Sequence, residues 1–301
     1  MHDVIVVGGG PAGVTAAIYA NRSGLDVLLI ARDAGSLQKA DRIENYYGFV
    51  EPISGAELLQ NGLDQARRLG VQFVTAEVTG IQWNDQFTVS TVDAQFESAG
   101  IILATGMPRR KAAIPGLTQY EGKGVSYCAV CDGFFYRNKT VAVIGNGAYA
   151  LSEALELKHL ARQVYIMTNN RPYEAEQEDP DIIIKTEKVK QITGDDNSVQ
   201  QLVLASGESL PIDGVFVAEG TATALDLALK LGIENDGKAI LVGPNQETNL
   251  PGLFAAGDCT GGLLQIAVAV GDGARAGMAA SEWIRKKTGM KSQTVQWGTR
   301  D

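Results

Sequence analysis

Short apolar runs alternate with amphipathic segments along most of this chain. Val4–Val7 is an apolar run that ends in glycine, Val14–Arg22 has apolar residues at helical spacing, and Val27–Ile30 is apolar again. This order predicts a strand, a loop, a helix and a strand, which is how a Rossmann unit begins. The same order recurs farther along the chain, at Val141–Ile144, Ala150–Leu160 and Val164–Met167.

The segments around these two units complete two domains. The pattern predicts an amphipathic helix at Gly55–Leu69, antiparallel strands from Phe73 to Val92, and a buried strand at Gly100–Gly106. Later strands are predicted at Val199–Leu204, Gly214–Val217 and from Leu253, before a long helix from Leu264 to Lys286. Because the chain returns to the first unit near Gly243, we expect an α/β fold of two Rossmann-like three-layer domains. Residues 113–242 form the second domain, inserted between 1–112 and 243–301 of the first.

A first glycine loop, Gly8-Gly9-Gly10-Pro11-Ala12-Gly13, lies between a predicted strand and a predicted helix. Gly8 allows a tight turn, Gly10 lets the backbone approach a pyrophosphate, and Gly13 lets the helix pack against the strand. The helix N-terminus adds N–H donors and a positive dipole. The loop therefore predicts a dinucleotide site.

A second glycine loop, Gly145-Asn146-Gly147-Ala148-Tyr149-Ala150, keeps the small residues that such a turn needs. Tyr149, however, is large for a position facing a diphosphate. It either fills the space that a nicotinamide nucleotide would take or stacks on a ring. The alternative is a degenerate loop that holds no nucleotide.

Two cysteines precede the second loop in Cys128-Ala129-Val130-Cys131-Asp132. Thiols at this spacing close a disulfide reversibly, and a neighbouring carboxylate can move the proton that this chemistry requires. Asp132 as an ordinary surface residue is the alternative. A zinc site would need four ligands, and no second cysteine pair exists, so no metal is predicted.

Composition and charge narrow the function further. There are 26 lysines and arginines against 35 aspartates and glutamates, a net charge of −9, which argues against nucleic-acid binding. The apolar runs are strand-sized, so no membrane span is expected. The N-terminus has no basic segment of the signal-peptide type, and three cysteines do not make an extracellular disulfide framework. The expectation is a cytoplasmic protein with a catalytic disulfide.

Taken together, these motifs resemble the low-molecular-weight thioredoxin reductase family over essentially the whole chain. The resemblance also rests on Ile43-Glu44-Asn45-Tyr46, Ala104-Thr105-Gly106, Gly133-Phe134-Phe135, Ala255-Ala256-Gly257-Asp258 and Gln265-Ile266-Ala267. It implies a homodimeric oxidoreductase that carries one FAD per chain. Electrons would pass from the flavin through the disulfide to thioredoxin or a thioredoxin-like protein.

The resemblance also assigns roles to single residues. FAD would be bound by Gly8, Gly10, Pro11, Ala12, Gly13, Asn45, Ala104, Thr105, Gly106, Gly257, Asp258, Gln265, Ile266 and Ala267. In the disulfide, Cys131 would face the flavin and Cys128 would be the exposed attacking thiol. Asp132 would be the acid–base group.

One segment departs from the family. NADPH-dependent members carry a basic cluster of the form His-Arg-Arg-x-x-x-Arg, which grips the 2′-phosphate. Here the aligned residues are Thr168-Asn169-Asn170-Arg171-Pro172-Tyr173-Glu174, and Glu176, Glu178 and Asp179 follow. The reversed charge argues against NADPH and favours the ferredoxin-dependent flavin thioredoxin reductases, in which reduced ferredoxin supplies the electrons.

Three other interpretations stay open at this point. The first is an NAD(P)H-dependent thioredoxin reductase with an altered pocket, and the second is a diflavin-linked disulfide oxidoreductase with a second flavin. The third is a redox-sensing binding protein without turnover. Ferredoxin would dock on one of three basic clusters, Arg109-Arg110-Lys111, Arg137 with Lys139, or Arg285-Lys286-Lys287 with Lys291. Trp297 either caps the flavin or anchors the C-terminal tail.

Overall fold

The computed structural model describes residues 1–33, 35–107 and 113–289. Up to residue 107 the elements are, in order, β1 (His2–Val7), α1 (Pro11–Arg22), β2 (Val27–Ala31), α2 (Gly55–Arg68), β3 (Gln72–Thr75), β4 (Val78–Asn84), β5 (Gln86–Thr91) and β6 (Gln95–Leu103). The predicted strands and helices in this part are present, and β4 and β5 meet at Asp85, whose positive φ of 60° makes the turn.

The following part of the chain contains β7 (Val125–Ser126), α3 (Ala129–Asp132), β8 (Thr140–Ile144), α4 (Ala148–Lys158), β9 (Gln163–Met167), β10 (Ile182–Lys185), β11 (Val189–Gly194), β12 (Val199–Leu204), β13 (Ser209–Pro211), β14 (Gly214–Val217) and α5 (Ala224–Lys230). The last elements are β15 (Leu253–Ala255) and α6 (Ile266–Thr288). The short element α3 carries the disulfide.

The chain divides into two compact units. Unit 1 contains Met1–Ala76, Gln82–Pro108 and Ile233–Asp301, and unit 2 contains Glu77–Ile81 and Arg109–Gly232. Each unit has its own sheet with a core of parallel strands, so the predicted α/β class with two Rossmann-like units is confirmed. The units change close to the predicted limits at 112/113 and 242/243, and those domain limits stay a prediction.

Unit 1 contains β3, β2, β1, β6 and β5 in this order within one sheet, with β15 also paired to β6. β1, β2, β6 and β15 pair in parallel, as a Rossmann unit requires. The expectation that Phe73 begins a set of antiparallel strands is wrong, because β3 pairs in parallel with β2. β3 is an edge strand of the sheet, with its two middle residues half-buried and its two outer residues exposed.

α6 crosses α1 at close range in unit 1. A Cβ at Gly273 would lie 2.2 Å from the carbonyl oxygen of Ala12, and a Cβ at Gly277 would lie 2.5 Å from that of Ala16. Only glycine at both positions allows the two backbones to approach this closely. The contact brings the N-terminal half of α6 beside the first turn of α1.

Unit 2 has a five-stranded parallel sheet in the order β10-β9-β8-β14-β7 and a three-stranded antiparallel sheet, β11-β12-β13. Its core is aliphatic, with Ala142, Ile144, Leu202 and Val215 fully buried. None of the helices in the described ranges combines the length and the apolar character needed to cross a bilayer.

Candidate functional site

The first glycine loop joins β1 to α1, and two of its glycines are required by close packing. Gly8 has a φ of +118°, and a Cβ there would lie 2.3 Å from the carbonyl oxygen of Ala104. A Cβ at Gly13 would lie 1.9 Å from the carbonyl oxygen of Gly8. The loop therefore packs against the segment that follows β6, and Gly8, Gly13 and Ala104 lie together.

Gly10 differs from these two glycines because it faces open space. It is the N-cap residue of α1, its φ is an ordinary −78°, and no side chain caps the helix there. A Cβ at Gly10 would have no heavy atom within 4 Å. The N–H groups of the first helical turn are thus presented, with the helix dipole, to whatever lies in front of the loop.

The segment after β15 meets the same loop. Gly257 has a φ of +76°, and a Cβ there would lie 2.7 Å from Cβ of Ala12. Farther along, Nδ2 of Asn45 donates a hydrogen bond of 3.0 Å to Oε1 of Gln265, the N-cap residue of α6. Residues that are distant in the sequence, and predicted to contact the same cofactor, therefore lie at one end of unit 1.

Two carboxylates lie near the Gly257 turn. Burial, followed by the charge of Asp272, raises the pKa of Asp258. Burial also raises the pKa of Asp272, while Arg275 and the Gly257 amide partly oppose this effect. Nε2 of Gln246 donates to Oδ1 of Asp272 over 3.3 Å. Sequence reasoning missed Asp272 and Gln246, because nothing local distinguishes a buried aspartate within a helix from an exposed one.

The cysteines in unit 2 form a disulfide, with an S–S distance of 2.04 Å. Cys128 is the N-cap residue of α3, and its Sγ accepts a hydrogen bond of 3.1 Å from the backbone N–H of Cys131. The exposed fraction of Cys128 is 4%, whereas Cys131 is exposed. The expectation that Cys128 is the exposed thiol is therefore wrong for the oxidised chain, because α3 turns Cys131 outward.

Asp132 is held beside the disulfide by Ser126. The Ser126 hydroxyl donates a hydrogen bond of 2.6 Å to Oδ2 of Asp132, and its oxygen accepts one of 3.1 Å from the backbone N–H of Cys128. The carboxylate is thus tied to the Cys128 backbone through one buried hydroxyl. Sequence reasoning missed Ser126, although a serine within an apolar strand just before the cysteines was a signal that could have been used.

The second glycine loop joins β8 to α4 and contributes a buried tyrosine to unit 2. Tyr149 is 1% exposed. Its hydroxyl has no hydrogen-bond partner among the described residues, and the ammonium of Lys230 lies 5.3 Å from the centre of its ring. Burial, with Glu153 and Asp226 nearby, raises the pKa of Tyr149 well above its usual value. Tyr149 therefore packs inside unit 2 beside Lys230, and its filling of the space that a nicotinamide nucleotide would take stays a prediction.

The segment after β9 lies against the second loop. Nδ2 of Asn146 donates to the carbonyl oxygen of Pro172 over 2.9 Å, and the N–H of Glu174 donates to the carbonyl oxygen of Asn146 over 2.7 Å. Both positions where the family carries arginines are in the left-handed region, with φ values of 55° for Asn169 and 64° for Asn170. Asparagine tolerates this conformation, so these residues form a turn.

The only basic residue of that turn is engaged elsewhere. Nη2 of Arg171 lies 2.7 Å from Oε1 of Glu219, which is largely buried. This ion pair spans the carboxyl ends of β9 and β14, the edge at which a nucleotide binds in a Rossmann unit. Arg171 is therefore neutralised where a phosphate-binding arginine would have to be available.

Comparison with known proteins agrees with this geometry. The family model described as pyridine nucleotide-disulphide oxidoreductase matches residues 2–273. A thioredoxin reductase of Listeria monocytogenes is 36% identical over 303 residues, with 95% of each chain covered. The atypical thioredoxin reductase from Desulfovibrio vulgaris Hildenborough is 38% identical, with a TM-score of 0.90 over 95% of this chain and 99% of that chain.

A ferredoxin-flavin thioredoxin reductase from Clostridium acetobutylicum is 32% identical, with a TM-score of 0.69 over 95% of this chain and 98% of that one. The chain belongs to the low-molecular-weight thioredoxin reductase family. Members of this family are flavoproteins, and the cofactor is FAD. The chain is accordingly a flavin disulfide reductase of this family.

The residues at the end of unit 1 fit FAD. The uncapped N-terminus of α1 suits a pyrophosphate anion, and the missing Cβ of Gly10 leaves room for it. The Asn45–Gln265 pair and the start of α6, at Ile266 and Ala267, adjoin this region. Thr105 and Gly106 follow β6, and a Cβ at Gly106 would also face open space. Which atoms contact the cofactor stays a prediction.

Some sequence predictions fall outside the described residues. These are the basic cluster Arg109-Arg110-Lys111, Lys291, and Trp297 with the C-terminal tail. Within the described part of the chain, no three histidine, cysteine, aspartate or glutamate side chains are grouped as metal ligands would be.

Proposed function

We propose that this protein reduces thioredoxin, or a thioredoxin-like protein, with electrons that it receives from reduced ferredoxin rather than from NADPH. The observation that carries the choice of donor is the arrangement of the second glycine loop, where Tyr149 is buried and residues 172 and 174 bond to Asn146. A pyridine nucleotide would have to displace these contacts and bind without an available arginine. The Clostridium relative, whose name includes ferredoxin, supports the same choice.

In this proposal FAD is held in unit 1 by the residues from Gly8 to Gly13, Asn45, Ala104–Gly106, Gly257, Asp258 and Gln265–Ala267. FAD, when bound, accepts electrons singly and passes them on in pairs. The Cys128–Cys131 disulfide takes up two electrons and two protons and becomes a dithiol. One of its thiolates then attacks the disulfide of the protein substrate, and the second thiol resolves the mixed disulfide.

Asp132 would take part in moving the proton of the attacking thiol. Its link to the Cys128 backbone through Ser126 keeps the carboxylate next to the cysteines. A carboxylate accepts a thiol proton within hydrogen-bond reach or through one water molecule. Which sulfur attacks the substrate remains a prediction, since Cys131 is the exposed one in the oxidised chain.

The surface around the disulfide suits a protein substrate. Val130, Phe134 and Phe135 are 56%, 65% and 68% exposed, so three large apolar side chains lie next to the cysteines without cover. The guanidinium of Arg137 lies 5.1 Å from the centre of the Phe134 ring. Exposed aromatic residues with an arginine are typical of the centre of a protein interface.

The three basic clusters considered for ferredoxin differ. In the C-terminal cluster, Arg285 donates to the carbonyl oxygen of Ser23, and Lys286 pairs with Glu282 over 2.7 Å. The side chains of Arg137 and Lys139 instead contact aromatic rings, those of Phe134 and Tyr136, and both residues stay exposed. Arg137 and Lys139 are therefore the better docking candidates. Dimer formation and a cytoplasmic location stay predictions.

The test is anaerobic bleaching of the flavin absorbance. NADPH, NADH and reduced ferredoxin are offered separately to the purified protein, and the FAD released per chain is measured. Rapid bleaching by ferredoxin alone, with one FAD per chain, is the expected result. Rapid bleaching by either nucleotide would restore the ordinary nucleotide-driven reductase. Two flavins per chain would favour the diflavin enzyme instead.

A further inference from the structure

A buried ion pair lies beneath the disulfide in unit 2. Oε1 of Glu153, on α4, pairs with the ammonium of Lys230, at the end of α5. The exposed fractions of the two side chains are 2% and 7%. Burying two charges this deeply removes their hydration, and this costs free energy that only close pairing can offset. Neither residue belongs to a motif that the function described above uses.

Both members of the pair are connected to the cysteines. Oε2 of Glu153 accepts a hydrogen bond of 2.8 Å from the N–H of Ala129, which belongs to the peptide group that follows Cys128. The residue before Lys230 is Leu229, whose carbonyl oxygen lies 3.8 Å from Sγ of Cys131. One carboxylate thus fixes the backbone at the first cysteine, and the helix of its partner lies against the second.

The pair has an electrostatic consequence that appears only when the disulfide is reduced. A dithiol forms a thiolate, whereas the disulfide carries no charge. A lone carboxylate beside the cysteines would oppose thiolate formation, and a lone ammonium would favour it. With both charges present, the two effects oppose each other.

We propose that Glu153 and Lys230 are positioning residues for the Cys128–Cys131 pair: they hold the α3 turn in place, and by compensating each other's charge they keep the pH at which the reduced dithiol becomes nucleophilic from being shifted by either charge alone. This inference rests on the proposed function only in treating the disulfide as redox-active. The proposed role of the pair requires no contact with the electron donor or with the protein substrate.

Other titratable groups lie on the elements that pack against α3. They are Asp132 on α3, Tyr136 in the following turn, Tyr149, Glu156 and Lys158 on α4, and Asp226 on α5. Asp226 caps its own helix with Thr223, Glu156 is exposed, and Lys158 is paired with Asp179 and Asp181. These groups are present in every variant below except the control, so they do not alter the comparison.

The experiment measures alkylation of the reduced FAD-loaded protein by iodoacetamide as a function of pH. Dithiothreitol reduces the disulfide and is then removed, and mass spectrometry identifies the modified cysteine. Cys259 does not interfere, because it is buried and burial raises its pKa to about 12. The quantity compared is the pH at the midpoint of the alkylation rate.

Two single variants are expected to shift this midpoint in opposite directions. Glu153→Gln keeps an oxygen for the Ala129 N–H and leaves Lys230 uncompensated, so the midpoint falls by about one pH unit. Lys230→Met leaves the carboxylate alone, so the midpoint rises by a similar amount. The double variant returns close to the unmodified protein. Lys158→Met removes a charge elsewhere on α4 and should cause no shift.

Shifts of the same sign in both single variants, or unchanged midpoints, would overturn the inference. If Lys230→Met yields no folded protein, Glu153→Gln and the double variant carry the test, since both lack the buried unpaired carboxylate. Equal midpoints in those two would also overturn it. The measurement uses no donor and no thioredoxin, so a failure of the proposed function would appear in the bleaching assay and leave this result untouched.

Discussion

The two glycine loops of this protein have the same local fold but differ in the residues that surround them. Each loop follows a parallel strand and leads into a helix whose N-terminus has no side-chain cap. Each also contains a glycine at a position where a Cβ would clash with backbone atoms, Gly8 in the first loop and Gly145 in the second. In the first loop the space in front of the helix is open. In the second, the segment at 172–174 is hydrogen-bonded to Asn146 of the loop, Tyr149 is buried, and Arg171 is paired with Glu219. A glycine motif therefore specifies a backbone turn, and the residues around it decide whether a nucleotide can bind.

The largest effect is expected from the chemistry that unit 2 retains. Cys128→Ser should lower thioredoxin reduction by at least about a thousandfold, because the disulfide can no longer form. FAD content should stay unchanged, since the first loop lies in unit 1. The check is an assay of turnover together with the flavin spectrum. Ala129→Gly, next to the cysteine, serves as the control. If Cys128→Ser retained turnover, electrons would not pass through the Cys128–Cys131 disulfide.

A matched pair of glycine variants tests the loops directly. Gly10→Val should weaken FAD binding by about 100-fold, because the added side chain occupies the open space in front of α1. Gly147→Val, at the equivalent N-cap of α4, should leave FAD content unchanged. The nearest heavy atom to a Cβ at Gly147 is 3.9 Å away, so the fold tolerates it. FAD release during dialysis, measured by fluorescence, distinguishes the two. Equal FAD loss would show that the loops do not differ as described.

The smallest effect concerns Tyr149, the buried tyrosine of the second loop. Tyr149→Phe removes a buried hydroxyl without a hydrogen-bond partner, so the free energy of unfolding should rise by about 1 kcal/mol. Denaturant unfolding at neutral pH measures it. A destabilised variant would mean that the Tyr149 hydroxyl has a hydrogen-bond partner.

The same variant has a pH dependence of known sign. The pKa of Tyr149 is raised in the folded protein above the ordinary value of 10.0. The unfolded chain therefore ionises first, and the stability that the neutral phenol provides is complete below pH 10 and lost as the pH rises above it. Tyr149→Phe should lose less stability than the unmodified protein on going from about pH 9 to about pH 11. Parallel losses would contradict the burial of this phenol.

The sequence predicted those features that depend on local pattern. The two Rossmann-like units, the Gly8–Gly13 loop and the cysteine pair follow from residues that are near one another in the chain. That Asn45 and Gln265 belong to one cofactor site was expected only through the family resemblance, because 220 positions separate the two residues. The parallel pairing of β3 was missed, since alternation indicates a half-buried strand and carries no information about its partner.

Among the features that sequence reasoning missed is the buried ion pair of Glu153 and Lys230, which belong to different helices. Each of these residue types is common on protein surfaces, so only the fold reveals that these are buried. The exposure of Cys131 in place of Cys128 is of the same kind, because it depends on how α3 is oriented.

The central claim is that the second glycine loop no longer binds a pyridine nucleotide. Isothermal titration of NADPH into the FAD-loaded protein tests this without any electron transfer. The account predicts no saturable binding up to about 1 mM, which corresponds to less than about 4 kcal/mol of binding free energy. One site per chain with a micromolar dissociation constant would contradict it.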